Sequence, residues 1–372
     1  MEGGIDSDQI EGQCKAFNHT ILRPEHGCQN NHDTLQLFCA FSNFRVDNNF
    51  IQMDRGGERL DDVMGRPESQ EFPVYSKGAF STNRKPKFHV SKEDRKAKNL
   101  YYLTDVLNSL KYPTSKNKGN VNSTCVEMRL GTTLFLTRYE YVNLYHTLTD
   151  WWNAFFVLTH EQRIRQEKVR VLFLDAHAQG SLDPVWSDVF GPIEFVQHLR
   201  PGGVCFERAV FIPPGYIAPI FPDSGHSNPK GASRMRCPRP KMMESFCNFF
   251  LTTFGLEKVK FIPGKIVIID RKPYISHPRS KVGNFARVME GLDDLKNNLL
   301  NISGVNEVEI VRFEILSFRE QLRIIREAQI LIGNHGAGLT NLAFMDPSAH
   351  VLEITAGTLD FFDYLAQWKG IH

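Results

Sequence analysis

The chain lacks any run of about 18 consecutive apolar residues, the length that a membrane-spanning helix requires. Its opening residues, MEGGIDSDQI, contain neither the basic nor the apolar region of a secretory signal. A surplus of charge is missing too: 44 basic side chains stand against 42 acidic ones, and a net charge of +2 creates no global field to hold a polyanion. No concentrated basic face replaces it, so nucleic acid is not an expected partner. The seven cysteines are scattered without a CxxC pair, which argues against a zinc site of the usual spacing. GxSxG, HExxH, the Walker spacing and a full GxGxxG are all absent. The serine-hydrolase, zincin, P-loop and dinucleotide-binding classes therefore lose their signatures.

What is present is a globular composition, 41% hydrophobic and 23% charged, over 372 residues, enough for two domains at about 100–200 residues each. Cys14, Cys28, Cys39, Cys125, Cys205, Cys237 and Cys247 suit disulfides better than a metal, and sequons at Asn18, Asn122 and Asn301 fit a secretory-pathway protein. Residues 1–128 are rich in Asn, Asp, Gly, Pro and charge, and read as an irregular, disulfide-tied region packed on the first domain, with Ser91–Lys98 a solvated helix or loop. From Thr132 the character changes. TLFLT is a short buried strand, an apolar helix runs from about Val142 to Thr159, and VRVLFLD (Val169–Asp175) has the β-branched, aromatic make-up of a central parallel strand.

The stretch from about Pro213 to Pro240 is loop by composition. A helix from Met243 to Phe254 precedes a second all-apolar strand, Ile266–Asp270. Ser317 and Glu320 stand in capping-box spacing and start a further helix. ILIG (Ile330–Gly333) is a strand, GNHGAG a turn, LTNLAFM a helix and VLEI (Val351–Ile354) a strand. Alternation of this kind yields an α/β fold with parallel sheets and right-handed crossovers, here in two units, 129–260 and 261–372.

The most informative motif is GNHGAGL, Gly333–Leu339, between a buried strand and a helix. Glycines there let a backbone approach a ligand, and the amides of the following helix favour a phosphate. A tight turn with glycines for packing explains the same glycines, but packing does not require the imidazole of His335. Basic side chains gather after the preceding strand, in Asp270–Arg287: Arg271, Lys272, His277, Arg279, Lys281 and Arg287. Ligands of open α/β sheets lie beyond the carboxyl ends of strands, where Arg271 falls, and guanidinium forks suit a diphosphate. Lys272 and Lys281 read more simply as a solvated basic loop. Glu353, near the glycine turn, is placed to accept from ribose hydroxyls.

A second constellation is RYEYVNLYHTLTDWWNAFF, Arg138–Phe156. Its helix is apolar almost all round, yet Asn143, His146, Asp150 and Asn153 recur at i, i+3 and i+4 intervals as one polar stripe. A buried stripe needs partners or a cleft. Either it bonds this helix to its neighbours, or Asp150 orients His146, one turn away, as a general base. Asp175-Ala-His177 has the outline of a metal motif, but no carboxylate cluster surrounds it, and a strand-end Asp capping the next element is the simpler reading.

These residues carry a family likeness. Arg138–Phe156 together with LIGNHGAGLTN (Leu331–Asn341) resembles glycosyltransferase family 61. The upstream segment Met53–Phe80 is similar to the corresponding stretch of plant-type β-1,2-xylosyltransferases that act on the N-glycan core. DRKPYISHPR and FLDAH match that group in order, so the likeness runs from about Cys39 to the end. The EGF-domain-specific O-linked N-acetylglucosamine transferase shares the His-x-x-x-Asp helix and the glycine turn, but MDRGGERLDDVMGR (Met53–Arg66) favours the xylosyl branch.

The resemblance implies a GT-B architecture, two Rossmann-like domains facing a cleft, and inverting transfer without a metal or other cofactor. A UDP-sugar would be the co-substrate and the N-glycans of glycoproteins the acceptors. It implies residence in the Golgi through an N-terminal anchor that this chain does not carry. Arg271, Arg287 and His335, with Asn334, Gly336, Ala337, Gly338 and Glu353, would surround the UDP-sugar, and His146 or Asp150 would take the acceptor's proton. Two departures stand out. VMEGLDD (Val288–Asp294) occupies the place of an Asn–Glu–Glu-like stretch, and relatives continue beyond WKGIH, so the C-terminal domain is expected to be incomplete. The alternatives to a xylosyltransferase are the EGF-specific activity and an inactive nucleotide- or glycan-binding remnant.

Overall fold

The computed structural model describes residues 27–31, 36–89, 101–113, 125–160, 169–218, 220, 241–272, 278, 287–355 and 361–371. Ser91–Lys98, Cys14, Cys237, Asn18, Asn122, His277, Arg279, Lys281 and most of the loop expected before Pro240 lie outside these residues.

In the N-terminal part, β1 (Gly27–Asn31), β2 (Gln36–Val46), β3 (Ile51–Gln52), β4 (Val74–Tyr75), β5 (Phe80–Thr82), β6 (Lys87–His89), α1 (Tyr101–Ser109) and β7 (Leu110–Lys111) come first. They are followed by β8 (Glu127–Leu136), α2 (Leu144–His160), β9 (Arg170–Phe173), α3 (Asp183–Val189), β10 (Ile193–Phe195) and β11 (Val204–Phe211). A nine-stranded sheet takes the order β10-β9-β8-β11-β2-β1-β6, with β5 on β2 and β7 on β5. Its β10, β9, β8 and β11 are parallel neighbours, as runs such as VLF and TLFL, buried on both faces, require.

The region expected to be irregular thus supplies five strands to this sheet, and β2 runs antiparallel along the whole of β11. The strand was hidden because Ser42, Asn43 and Arg45 interrupt its apolar residues and Asn43 has φ of 51°. Cys28 and Cys39 face each other across β1 and β2 and are bonded, and Cys125–Cys205 ties the entry to β8 to β11. Such bonds persist in oxidising compartments. Cys247 is a buried free thiol. No helix among the described residues is long and apolar enough to cross a membrane.

The C-terminal part holds α4 (Lys241–Thr253), β12 (Lys265–Ile269), α5 (Leu292–Leu300), β13 (Glu307–Val311), α6 (Phe318–Glu327), β14 (Ile330–Asn334), β15 (His350–Ile354) and α7 (Phe361–Lys369). Four parallel strands take the order β13-β12-β14-β15. The Ser317–Glu320 capping box forms, each side chain accepting the other residue's amide, and opens α6. The segment expected as a helix, LTNLAFM, winds as a 3-10 helix over Ala337–Phe344, which buries Leu339, Leu342, Ala343 and Phe344 together. The exposed Asn301 caps the end of α5, the one sequon within the described residues.

Each of the two larger sheets has one point where successive strands depart in opposite directions. The chain passes from β8 through β9 to β10 and returns to β11 on the other side of β8; likewise β13 flanks β12 on one side and β14 on the other. Ligand crevices of open α/β sheets form at such switch points. Helix α2 joins the two parts. Phe156 stacks on Phe38 of β2, while Trp151 meets Phe250 of α4 and Phe318 of α6, each at 5.2 Å between ring centroids. Trp152 meets Trp368 of α7 at 5.5 Å, so one apolar core runs from one sheet to the other.

Candidate active site

At the switch point of the C-terminal sheet, Arg271 leaves β12 and the glycine turn leaves β14 side by side. Arg271 donates from Nη1 to the His335 carbonyl at 3.1 Å. A Cβ on Gly336 would lie 2.4 Å from that same Nη1, so the guanidinium settles there only because residue 336 has no side chain. Gly333 is needed for the neighbouring contact, where a Cβ would meet Ile269 at 2.8 Å. These two glycines serve close approach; they bring an arginine onto the turn.

His335 is buried, and its Nδ1 shares a hydrogen bond of 2.5 Å with Glu353 Oε1. Residue 353 stands opposite Gly333 in the β14–β15 ladder, which puts its carboxylate within reach. Glu353, expected to face a ribose, thus has one oxygen engaged in fixing the imidazole. Asn334 donates to the Arg287 carbonyl at 3.5 Å, bringing the exposed Arg287 beside the turn. Ala337 and Gly338 open the 3-10 helix, whose first amides have no partner within the helix. Lys272 pairs with Asp270 at 3.2 Å.

On α2 the polar stripe divides. The Asn143 side chain accepts from the Tyr145 amide at the helix start. Asn153 donates to the carbonyls of Pro213 and Pro214, at 3.0 and 3.2 Å, in the loop that leaves β11. Asp150 Oδ1 accepts from the Gly215 amide at 2.6 Å. The bond that Asp150 makes is therefore to the β11 exit loop at the first sheet's switch point, which agrees with the first of the two readings of the stripe, a tie to a neighbouring element, rather than with the orienting of His146. A backbone donor supplied by tertiary packing replaces the imidazole one turn away on the same helix. Burial pushes the Asp150 carboxyl up to about 8, against the Gly215 amide, which favours its charged form. Half-buried His146 has its pKa lowered by burial, partly offset by Glu140.

One side chain brings the two constellations together. The Phe362 ring of α7 lies 5.5 Å from Tyr145 and 5.1 Å from His335, centroid to centroid. The glycine turn and the first turn of α2 are thus separated by a single phenyl ring.

The sequence reading missed a buried ion cluster beside α2. Leu136 and Phe173 are in register across β8 and β9, so Arg138 and Asp175, two residues further along each strand, arrive together. Asp175 accepts from the Arg138 amide and Nη2, each at 2.8 Å, while Nη1 reaches Asp183 at 2.5 Å. Burial works to raise the Asp175 pKa, but Arg138 holds it below the usual carboxylate range. His177 bonds Glu71 at 3.0 Å and the Arg138 carbonyl at 2.8 Å. Arg66 joins Glu71, Glu58 and the Ala176 carbonyl, which clamps the MDRGGERLDDVMGR segment over the end of β9. Asp175 was expected to cap the next element, yet its main partner is Arg138. The available signal was an arginine just after one apolar strand and an aspartate just after the next. Among the described residues no group of three or more His, Cys, Asp and Glu is arranged to hold a metal ion.

The Glycosyltransferase 61 family profile matches residues 144–352, from the start of α2 to β15. A β-1,2-xylosyltransferase of Oryza sativa subsp. japonica is 29% identical, covering 92% of this chain and 68% of its own, and one of Arabidopsis thaliana is 27% identical over 91% and 73%. An EGF domain-specific O-linked N-acetylglucosamine transferase of Bos taurus is 27% identical over 62% of this chain and 42% of its own. The solved bacterial iron-containing dodecameric glycosyltransferase TibC of E. coli covers 90% of this chain and 80% of its own at 11% identity, with a TM-score of 0.27, a likeness too slight to argue from. With more than half of its residues matched by that profile, the chain belongs to glycosyltransferase family 61.

Proposed function

We propose that this glycosyltransferase transfers xylose from UDP-xylose, with inversion, in β-1,2 linkage to the core mannose of protein N-glycans, in a GT-B arrangement of two Rossmann-like domains. The observation that carries the site is the meeting of Arg271 and His335 at one switch point with the first turn of α2 across Phe362. The choice of sugar and acceptor is supported by the two β-1,2-xylosyltransferases, which align over 92% and 91% of the chain, against 62% for the EGF-specific enzyme. Two disulfides suit the oxidising lumen of the secretory pathway, here the Golgi.

In this reading the diphosphate lies on the glycine turn. The amides of Gly336, Ala337 and Gly338 and the side chains of Arg271, Arg287, Asn334 and His335 take the charge that grows on the leaving UDP. Glu353 keeps the His335 ring in place. His146 is the base. Burial lowers its pKa, so the imidazole is neutral at pH 7 and can accept the acceptor hydroxyl proton. As that proton leaves, the hydroxyl oxygen bonds to the anomeric carbon from the face opposite the diphosphate, and the bond from that carbon to the diphosphate oxygen breaks. Asp150 is protonated over most of the same pH range and already accepts the Gly215 amide, so the base role falls to His146.

Incubation with UDP-xylose and a biantennary N-glycan is expected to add one pentose, read by mass spectrometry. Transfer only from UDP-N-acetylglucosamine to an EGF domain would overturn the substrate assignment, and UDP binding without any transfer would support a binding remnant. Because side-chain cations and amides carry the leaving-group charge, turnover is expected to be undiminished in excess EDTA. Its loss there would demand a metal.

A further inference from the structure

At the mouth of the N-terminal switch point three aromatic rings meet beside α2. Phe72 lies 5.3 Å from Tyr139, and Tyr139 stands 5.3 Å from Tyr216 at an interplanar angle of 83°. Phe72 also abuts His177 of the buried ion cluster at 5.4 Å, which gives the rings a firm base. Phe72 and Tyr139 are half-buried, and Tyr216 is 41% exposed. The result is a corner of two perpendicular rings, of which Tyr216 is the one exposed to solvent.

The turn that presents Tyr216 is held with unusual effort. Asp150 accepts the Gly215 amide, and Asn153 holds the carbonyls of both preceding prolines. Gly215 is pressed so closely on α2 that a Cβ would stand 2.2 Å from Thr149 Oγ1. The Ala218 amide closes the turn on the Gly215 carbonyl. A fully buried amide and a buried carboxylate are thus committed to a surface turn whose exposed product is one tyrosine ring.

The chemistry of the corner selects its ligand. Among the described residues, Arg138 is neutralised within the ion cluster and the exposed Glu140 is negative, which does not favour an anion. A neutral pyranose fits: its C–H face packs on an aromatic ring while its hydroxyls meet phenol oxygens and a carboxylate. His146 lies four residues, roughly 6 Å of helical rise, before Asp150 on the same stripe.

We infer that Tyr139 and Tyr216 form the subsite that stacks a pyranose ring of the acceptor glycan, and that Asp150 is a positioning residue acting through Gly215 to present Tyr216. This rests on the glycosyltransfer reading above and assigns the side of the site that the donor residues leave open.

The test uses the full chain with Tyr216→Ala, Tyr216→Phe, Asp150→Ala and Asp150→Asn. Tyr216→Ala is expected to raise the acceptor KM about tenfold, as loss of an aromatic anchor does, with the UDP-sugar KM unchanged. Tyr216→Phe keeps the ring and recovers most of that loss. Asp150→Ala raises the acceptor KM in the same way, and Asp150→Asn, whose side-chain oxygen can still accept the Gly215 amide, recovers it. An unchanged acceptor KM in Tyr216→Ala overturns the subsite; a collapse of kcat in Asp150→Asn with acceptor KM unchanged overturns the positioning role and makes Asp150 the base. If the unaltered chain transfers nothing to an N-glycan, the functional reading fails separately. The corner is then read by saturation-transfer NMR with methyl α-mannopyranoside: a signal lost in Tyr216→Ala supports the subsite, and an equal signal overturns it.

Discussion

The two switch points occupy the same place in two sets of parallel strands and use charge in opposite ways. Beyond β8 and β9, Arg138, Asp175, His177 and Glu71 are sealed from solvent and satisfy one another. Beyond β12 and β14, Arg271, Asn334, Ala337, Gly338 and Glu353 are half-buried and Arg287 is exposed, within reach of a ligand. The first arrangement fixes a fold, since a buried charge without its partner is costly. The second places cations and amides where something that binds can reach them. Location at a switch point therefore says where a ligand can lie, and side-chain exposure is the ground for proposing the second of the two for the anion.

Three substitutions can break or sharpen this contrast. The largest effect is expected of His146→Ala, which should cut turnover by about 10²–10⁴-fold, measured as initial rate at saturating donor. Normal turnover in that variant would leave the α2 stripe a packing network throughout. Next, Arg138→Met strands two buried carboxylates, Asp175 and Asp183, and should cost about 3–5 kcal/mol in denaturant unfolding. A change under about 1 kcal/mol would mean that the cluster is not structural. The smallest effect concerns pH. Burial raises the Asp150 carboxyl from 3.8 to about 8, so the folded chain keeps a proton that the unfolded chain releases. Its contribution to stability is complete below about pH 4 and is lost as pH rises through about 8. Asp150→Asn should remove this dependence, so that its melting temperature gains on that of the unaltered chain between these limits; parallel curves would show that Asp150 carries its charge at neutral pH.

Much of the fold was legible because its central strands are unbroken apolar runs: TLFLT, VRVLFLD, IVIID and ILIG all lie in strands or at their ends. The α6 start was legible because a capping box is local chemistry. What escaped was long-range. Strand β2 mixes polar residues into its run and is buried only because β11 and β1 flank it. Arg138 resembles a solvent-facing loop residue until the register of β8 and β9 sets it beside Asp175. Helical spacing offers Asp150 a partner in His146, but the Gly215 amide, distant in sequence, takes its place. Nothing local to Phe362 announces that its ring will lie between Tyr145 and His335.

The division of labour between the two switch points is tested most directly by calorimetric titration of UDP into Arg271→Ala and His146→Ala beside the unaltered chain. UDP should bind Arg271→Ala at least about tenfold more weakly, the loss of a hydrogen bond to a charged group, and should bind His146→Ala as it binds the unaltered chain. Unchanged affinity in Arg271→Ala, or an equal loss in His146→Ala, would contradict the placement of the nucleotide at the β12–β14 switch point.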